Sequence, residues 1–192
     1  LIATNSTFAG NVASVVGGGI INYSTLTLTN NTLSGNSAVY GGGGIFNAAG
    51  LYLKNTILAN SVGRGDCYNT SGAAIAANTT SLTETNGPSA NRCGTPAVTA
   101  DPGLGPLANN GGAPQTFAIT ATSSAYDAGN NAICAAPPVN GLDQRGVARP
   151  QGAACDIGAF ETANPRLMLK SIGQDDGWIL ESTETSAAGG TM

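Results

Sequence analysis

Short apolar stretches alternate with Gly, Asn, Ser and Thr along the first part of the chain, and this alternation repeats. The segment Asn5-Ser-Thr-Phe-Ala-Gly-Asn11 recurs as Asn30-Asn-Thr-Leu-Ser-Gly-Asn36 and again as Lys54-Asn-Thr-Ile-Leu-Ala-Asn60. Two further elements recur in step with it, Gly17-Gly-Gly-Ile-Ile-Asn22 as Gly42-Gly-Gly-Ile-Phe-Asn47 and Leu26-Thr-Leu28 as Leu51-Tyr-Leu53. Three registers that repeat together at about 25 residues indicate a solenoid.

Each repeat holds three apolar pieces, and all of them are too short for a helix. One such unit cannot bury its apolar face alone, but stacked on its neighbours at about 4.8 Å it pairs every strand in parallel. The pattern therefore predicts an all-β fold, a right-handed single-stranded parallel β-helix (β-solenoid) with three strands per coil of about 25 residues. Leucine-rich repeats share this period, but their leucine spacing and helical return segment are missing from the sequence.

The repeat also predicts which side chains stack from coil to coil. The expected core stacks are Phe8, Leu33 and Ile57 on one sheet, Ile20 and Ile45 on another, and Leu26, Leu28, Leu51 and Leu53 on the third. Recurring asparagines should form two hydrogen-bonded ladders, one of Asn11, Asn36 and Asn60 and one of Asn22 and Asn47. The Gly triplets suit sharp corners, because glycine reaches positive φ without steric cost.

The composition fits an ordered fold with few charges. Charged residues make up 9% of the chain and hydrophobic residues 41%, a combination that argues against disorder. The net charge of -4 leaves no basic patch, so nucleic acid is not an expected partner. The sequence contains no run of about 18 apolar residues, so we expect no transmembrane segment. Because the first residue is Leu1, we expect a fragment or a processed product.

The four cysteines predict two local disulfides. Pairing Cys67 with Cys93 and Cys134 with Cys155 closes two loops in turn. The chain has no His and no Cys-x-x-Cys pair, so we expect neither a metal site nor another cofactor. Disulfides form in oxidising compartments, which predicts a secreted, extracellular or cell-surface protein.

The second half of the chain resembles a known family. The motifs are Asp101, Asn109-Asn-Gly-Gly-Ala-Pro114, Ala125-Tyr-Asp-Ala-Gly129, Asp143-Gln-Arg-Gly-Val-Ala-Arg-Pro150 and Cys155-Asp-Ile-Gly-Ala-Phe-Glu161. They closely resemble the choice-of-anchor Q region of secreted bacterial β-helix proteins. The Gly-Gly-Gly-Ile and Phe8-Ala-Gly-Asn11 elements look, more loosely, like the repeats of polymorphic outer-membrane proteins. The resemblance implies a terminal β-helix module ahead of an anchoring segment, in proteins mostly without an assigned reaction.

These patterns divide the chain into four predicted parts. Residues 1–100 form the coils, 101–161 the terminal module, 162–176 a linker, and 177–192 an isolated strand or the start of a further β-domain. Trp178, Ile179 and Leu180 form a short apolar strand with too little sequence after it for a sheet of its own. We therefore expect strand addition to a neighbouring copy and head-to-tail growth of a fibre. The alternative is that both chain ends mark where a longer chain was cut.

Candidate chemistry is sparse. Inverting glycoside hydrolysis needs two carboxyl groups about 6.5–9.5 Å apart. No predicted strand of the repeat region carries even a single carboxyl group. Lys54, Arg64 and Asp66 are close in sequence but form no acidic calcium cluster. The charged group Asp143, Arg145 and Arg149 is expected to pin the last loop across the open end of the helix by ion pairing; a clamp for a carboxylate or a sugar is the alternative. Glycosylation sequons occur at Asn5, Asn22, Asn30, Asn69 and Asn78.

The sequence thus predicts a non-catalytic module of a bacterial surface protein that serves as a stalk or adhesin. Its expected partners are copies of itself or other cell-surface components, with glycans as a further option. The alternative is a carbohydrate-binding or carbohydrate-cleaving (pectate-lyase-like) β-helix whose active coils lie outside this fragment.

Overall fold

The computed structural model describes residues 1–78 and 80–163, together with the backbone of residues 167–171 and 178–182. Residues 1–162 form one compact unit, and residues 163–192 form a second. The first unit begins with four successive coils of short strands. These are β1 (Ile2–Thr4), β2 (Thr7–Ala9) and β3 (Val12–Ala13); β4 (Ile20–Asn22), β5 (Thr25–Thr29), β6 (Thr32–Ser34) and β7 (Ser37–Ala38); β8 (Ile45–Asn47), β9 (Gly50–Lys54) and β10 (Ile57–Ala59); and β11 (Cys67–Asn69), β12 (Ile75–Ala77) and β13 (Leu82–Thr83).

Equivalent strands of successive coils pair in parallel. They make a sheet in the order β1-β5-β9-β12, a second in the order β2-β6-β10-β13, and a third in the order β4-β8-β11. The register advances by one repeat per coil, as from Phe8 to Leu33 and from Ile20 to Ile45. This arrangement confirms the predicted β-solenoid of about 25 residues per coil. A short fourth pairing, β3 with β7, lies between the second and third sheets in the first two coils.

The core stacks follow the prediction except at one position. Leu26, Leu28, Leu33, Ile45, Leu51 and Leu53 are fully buried, Ile20 is nearly so, and Phe8 packs against them at the first coil. The side chain that continues the Phe8 and Leu33 stack is Leu58, and Ile57 pairs instead with Thr32. The prediction for Ile57 was therefore wrong by one residue. Because side chains alternate across a strand, Ile57 points outward, where it packs into a second apolar cluster.

The glycine triplets form tight corners as predicted. Gly17 and Gly42 have φ values of 64° and 58°. Successive triplets also bond to each other through their backbones, as in the bond from Gly19 N to Gly43 O at 3.0 Å. A side chain on Gly42 would collide with the backbone of Ile45. Glycine is therefore required here both for its left-handed conformation and for the close approach of the chain.

The rest of the first unit folds back along the coils. After a 3₁₀ turn at Ser89–Asn91, a small antiparallel pair joins β14 (Leu107–Ala108) and β15 (Thr116–Phe117), and one helical turn, α1, spans Asn131–Ala135. We call residues 101–161 the terminal module. Coils and terminal module belong to the same compact unit, so the boundary predicted at residue 100 separates no independent body.

The second unit contains a β-hairpin. Strand β16 (Leu167–Ser171) pairs in antiparallel fashion with β17 (Trp178–Ser182), with Leu169 opposite Leu180. Trp178, Ile179 and Leu180 therefore do not form an isolated strand, since their partner lies within the region predicted as a linker. The alternative expectation, the start of a further β-domain, stays a prediction. Because this strand already has a partner within the chain, it does not need strand addition to a neighbouring copy for its backbone pairing on that edge. No helix in the described part of the chain is long and apolar enough to cross a membrane.

Candidate functional site

The asparagine ladders lie at two corners of the coil. Asn22 Nδ2 donates to Asn47 Oδ1 at 2.6 Å, and Asn47 Nδ2 donates to Asn69 Oδ1 at 2.7 Å, so this ladder extends one coil further than predicted. At the other corner, both nitrogens of Asn11 donate to Asn36 Oδ1, at 2.9 and 3.0 Å. These amides join successive coils where the strand pairing is interrupted.

Asn60 does not belong to the ladder to which the sequence assigned it. It is exposed and has a φ of 57°, close to the φ values of 65° and 66° at Gly10 and Gly35. Asn60 therefore takes the place of the corner glycine, because asparagine tolerates the left-handed region. The ladder position passes to Ser61, whose backbone N–H donates to Asp66 Oδ1 at 2.7 Å.

A third row of asparagines, whose role in the fold was not predicted from the sequence, attaches the terminal module to the coils. Asn5, Asn30 and Asn55 have φ values of 46°, 53° and 45° and recur once per coil. Asn5 Nδ2 donates to Leu142 O at 2.9 Å, and Asn30 Nδ2 donates to Cys134 Sγ at 3.2 Å. The row therefore spans three coils and bonds at each coil to the terminal module.

Asn55 makes the most extensive contact of this row. Its Nδ2 donates to Asn130 O at 3.1 Å and to Cys134 Sγ at 3.3 Å, while its Oδ1 accepts from Asn130 N at 3.0 Å. The same Asn130 caps helix α1, since its side chain accepts from Ala132 N at 2.9 Å. Asn55 thus fixes the start of the helical turn against the third coil.

The outer face of the second sheet is covered by the terminal module. Thr7 Oγ1 donates to Gln144 Oε1 at 2.6 Å, and Ala159 N donates to Thr32 Oγ1 at 3.0 Å. Gly158 lies against this face, and a side chain there would meet Ile57 Cδ1 at 2.7 Å and Thr32 Oγ1 at 2.8 Å. We call this contact, together with the bonds of Asn5, Asn30 and Asn55 to the terminal module, the lateral interface. It runs along the side of the coils, and not across an open end of the helix, where the charged loop was expected.

The first ion pair of the terminal module is Asp143 with Arg145. Arg145 Nε and Nη2 both donate to Asp143 Oδ2, at 2.9 and 2.7 Å. The guanidinium lies 3.6 Å from the centre of the Phe160 ring, which adds a cation–π contact. Its Nη1 donates to Asn110 O at 2.8 Å. The other Asp143 oxygen accepts from the backbone N–H groups of Arg145 and Val147.

The second ion pair is Arg149 with Glu161, at 3.3 Å between Nη1 and Oε2. Arg149 is predicted correctly as an ion-pairing residue, although its partner is Glu161 rather than Asp143. Its guanidinium also donates to Asp156 O and Gly158 O, each at 2.8 Å. Burial raises the pKa of Glu161 and lowers that of Arg149, because water is removed from both charges, while the ion pair opposes each shift.

Asp156 completes this network beside the two ion pairs. Its Oδ1 accepts from Asp127 N at 2.8 Å, and its Oδ2 accepts from Thr162 N at 2.6 Å. Burial raises the pKa of Asp156, and the two backbone N–H groups partly offset that rise. Both oxygens of Glu161 likewise accept from backbone N–H groups, those of Gln151 and Asp156. The oxygens of these carboxylates accept hydrogen bonds from the chain itself. The charged network is therefore arranged to hold the loops together.

The disulfides fix the two irregular regions. Cys67 bonds to Cys93 and Cys134 bonds to Cys155, the pairing that the sequence predicts, and all four residues are buried. Near the first disulfide lies Asp66, whose fully buried carboxylate accepts from Ser61 N at 2.7 Å and from Thr85 N at 2.8 Å. Burial raises its pKa above the ordinary value, and these bonds offset part of the rise. Asp66 therefore joins the third and fourth coils.

The sequon asparagines are engaged inside the fold. Asn22, Asn30 and Asn78 are buried. The side-chain N–H groups of all five donate within the chain, to Leu142 (Asn5), Asn47 (Asn22), Cys134 (Asn30), Ala73 (Asn69) and Cys93 (Asn78). A glycan on these nitrogens would displace those bonds, so the folded chain offers none of the five as a free acceptor.

Comparison with known proteins adds no relative. No family model matches the chain, and neither a curated protein nor a solved structure matches it. The resemblance of residues 101–161 to the choice-of-anchor Q region therefore stays a prediction, and the functional argument rests on the geometry of the chain.

Proposed function

We propose that this chain is a non-catalytic, extracellular structural module of a bacterial surface protein, where it acts as a stalk or an adhesin. The lateral interface carries the proposal. It bonds the terminal module to three successive coils through Asn5, Asn30 and Asn55. Force applied between the two ends of this unit must therefore break backbone pairing and lateral bonds together.

Three further features support a load-bearing role outside the cell. The coils are joined by parallel backbone ladders and by stacked amides such as Asn22 with Asn47. The two buried disulfides close the irregular regions where regular pairing weakens. Disulfides of this kind persist in oxidising surroundings. In this proposal the partners are other surface components or copies of the chain, and residues 101–161 act as the terminal module of a choice-of-anchor Q protein.

The charged network favours structure over catalysis. A catalytic carboxylate needs a free oxygen facing substrate, in reach of the proton that it moves. In the terminal module, the oxygens of Asp143, Asp156 and Glu161 accept from backbone N–H groups or from arginines of the chain itself. This occupancy supports a role in holding the loops rather than in acid–base chemistry.

Single-molecule pulling tests the structural role. The chain is stretched between one handle at its first residue and another after Thr162, with the Asn55→Gly variant as comparison. We expect coils and terminal module to unfold in one event, at a force that the variant lowers. Coils that peel away one at a time at low force, in both proteins alike, would overturn the proposal. Cleavage of a polysaccharide panel, detected as new reducing ends or unsaturated products, would overturn its non-catalytic part.

A further inference from the structure

An irregular loop beside the fourth coil is held unusually firmly. Residues 86–96 leave the coil path and return to it near Val98, which bridges to Leu82. The loop is held to the coils by the Cys67–Cys93 disulfide, and Asn91 Nδ2 donates to Asn69 O at 2.9 Å. Within the loop, Cys93 N donates to Asn86 Oδ1 at 2.8 Å, and Asn86 Nδ2 donates to Gly94 O at 2.9 Å. A surface loop with this many restraints is preorganised rather than merely connecting.

The loop and the end of the fourth coil enclose a cleft of about 460 Å³. Clefts of this size fall within the range of small-molecule sites. Its lining is about equally polar and apolar, and its polar residues are Glu84, Thr85, Asn86, Arg92, Thr95 and Thr99. Three threonines, one glutamate and one arginine therefore line the same cleft.

The two charges of the cleft do not neutralise each other. Glu84 Oε2 accepts from the backbone N–H of Asn60 at 2.8 Å, and no donor among the described residues reaches Oε1. The ion pairs of the described residues involve Arg145 and Arg149, and none includes Arg92. An acceptor and a donor that share a cleft without pairing are placed to bond to a third group. With one charge of each sign, the cleft gives no net attraction to an anion or a cation.

We propose that this cleft, the loop cleft, binds a neutral oligosaccharide. A sugar hydroxyl donates to one partner while accepting from another, so adjacent hydroxyls can bridge Glu84 and Arg92. The three threonine hydroxyls extend this pattern along the cleft. A zwitterionic amino acid could also contact both charges, but it has no use for the threonines. The inference goes beyond the structural role and is independent of it, since a load-bearing module does not require a sugar site.

The test is a titration of the ¹⁵N-labelled chain with three neutral trisaccharides, maltotriose, cellotriose and tri-N-acetylchitotriose, followed by NMR. We expect at least one to shift the amide signals of residues 84–99 selectively, with a Kd of about 1 mM. Arg92→Gln removes one charged donor and should weaken binding about tenfold, as lost bonds to charged groups do. Glu84→Gln should weaken it similarly, with circular dichroism confirming that the coil survives. Lys54→Gln changes an exposed cation outside the loop cleft and should leave the Kd unchanged.

Several results would overturn the loop-cleft proposal. One is the absence of shifts with all three sugars up to about 20 mM, well above the expected Kd. Another is binding that Arg92→Gln leaves intact or that Lys54→Gln weakens equally, since either places the sugar elsewhere. A third is that free glycine or alanine shifts the same amides while the sugars do not, which would make the loop cleft an amino-acid site. None of these results bears on the pulling experiment, so the two proposals fail separately.

Discussion

Asn55 offers the sharpest way to measure what the lateral interface contributes to stability. Its amide is fully buried and makes two bonds with the backbone of Asn130, at 3.0 and 3.1 Å, at a φ of 45°. Glycine keeps this conformation without strain but removes the amide. At about 1 kcal/mol per bond, Asn55→Gly should lower the free energy of unfolding by about 2 kcal/mol. Asn55→Ala loses the same bonds and, unlike glycine, has a Cβ in the left-handed region without the short polar side chain that lets asparagine adopt it, which adds about 1 kcal/mol to the loss.

Asn60 supplies the matched control for both substitutions. It has a similar φ of 57° but is exposed and lies outside the lateral interface. Asn60→Gly should therefore change the free energy of unfolding by less than about 0.5 kcal/mol. Asn60→Ala should show the conformational cost and the loss of the long bond from Asn60 Nδ2 to Ser34 Oγ at 3.3 Å, together about 1 kcal/mol. Urea unfolding followed by far-ultraviolet circular dichroism measures all four variants, and the m-value should remain constant if unfolding stays cooperative.

The reasoning fails if Asn55→Gly unfolds within about 0.5 kcal/mol of the unsubstituted chain. That result would mean that the bonds between Asn55 and the terminal module add nothing net to stability. Equal losses for Asn55→Gly and Asn60→Gly would also refute it, because the loss would then belong to the corner conformation rather than to the interface.

Three further predictions use the same urea assay. Gly158→Ala should lower the free energy of unfolding by at least about 2 kcal/mol, since the added Cβ would collide with Ile57 and Thr32. Gly103→Ala, in open space at a φ of 59°, should lower it by about half as much. Equal losses would contradict the close approach of Gly158 to the coils. Burial raises the pKa of Asp66, so the folded chain binds protons more tightly than the unfolded chain, and this residue's contribution to stability should decline as pH rises from about 4 through the raised pKa. Asp66→Asn should therefore lessen the slope of stability against pH, and an unchanged slope would refute this contribution. Replacing either disulfide by a pair of serines should cost about 3 kcal/mol, and free thiols in freshly purified protein would contradict the pairing.

The repeat made the solenoid predictable because each coil forms its core and its backbone pairing with equivalent positions of the next. The prediction failed in the third copy of the repeat, which was aligned one residue out of register. Aligning Asn60 with Asn36 shifted the third copy, and Ile57 moved from outside to inside, since one residue of shift reverses the face of a strand. Requiring the same corner of every coil to hold a residue that tolerates positive φ would have prevented this error. Gly10, Gly35 and Asn60 all tolerate positive φ, and matching them restores the register of 25 residues.

The lateral interface was harder to predict because its two sides lie far apart in the sequence. Asn5, Asn30 and Asn55 recur at the period of the coil and were visible as a row, but nothing in the row names Leu142, Asn130 or Cys134 as partners. The acid partner of Arg149 presented the same difficulty. Asp143 is nearer in sequence, yet the paths of the intervening loops bring Glu161 to the guanidinium. The loop cleft likewise depends on how one irregular loop returns to the coil.

Native-state hydrogen exchange of two amides tests most directly whether the terminal module is fixed along the coils. Gly158 N donates to Asn55 O at 2.8 Å, and Ala159 N donates to Thr32 Oγ1 at 3.0 Å, so both bonds cross the lateral interface. We predict that both amides exchange only through global unfolding, with the same opening free energy as the core amide of Leu58 in β10. Exchange of Gly158 and Ala159 at a much lower opening free energy, while Leu58 remains protected, would show that the terminal module detaches from intact coils and would contradict the account.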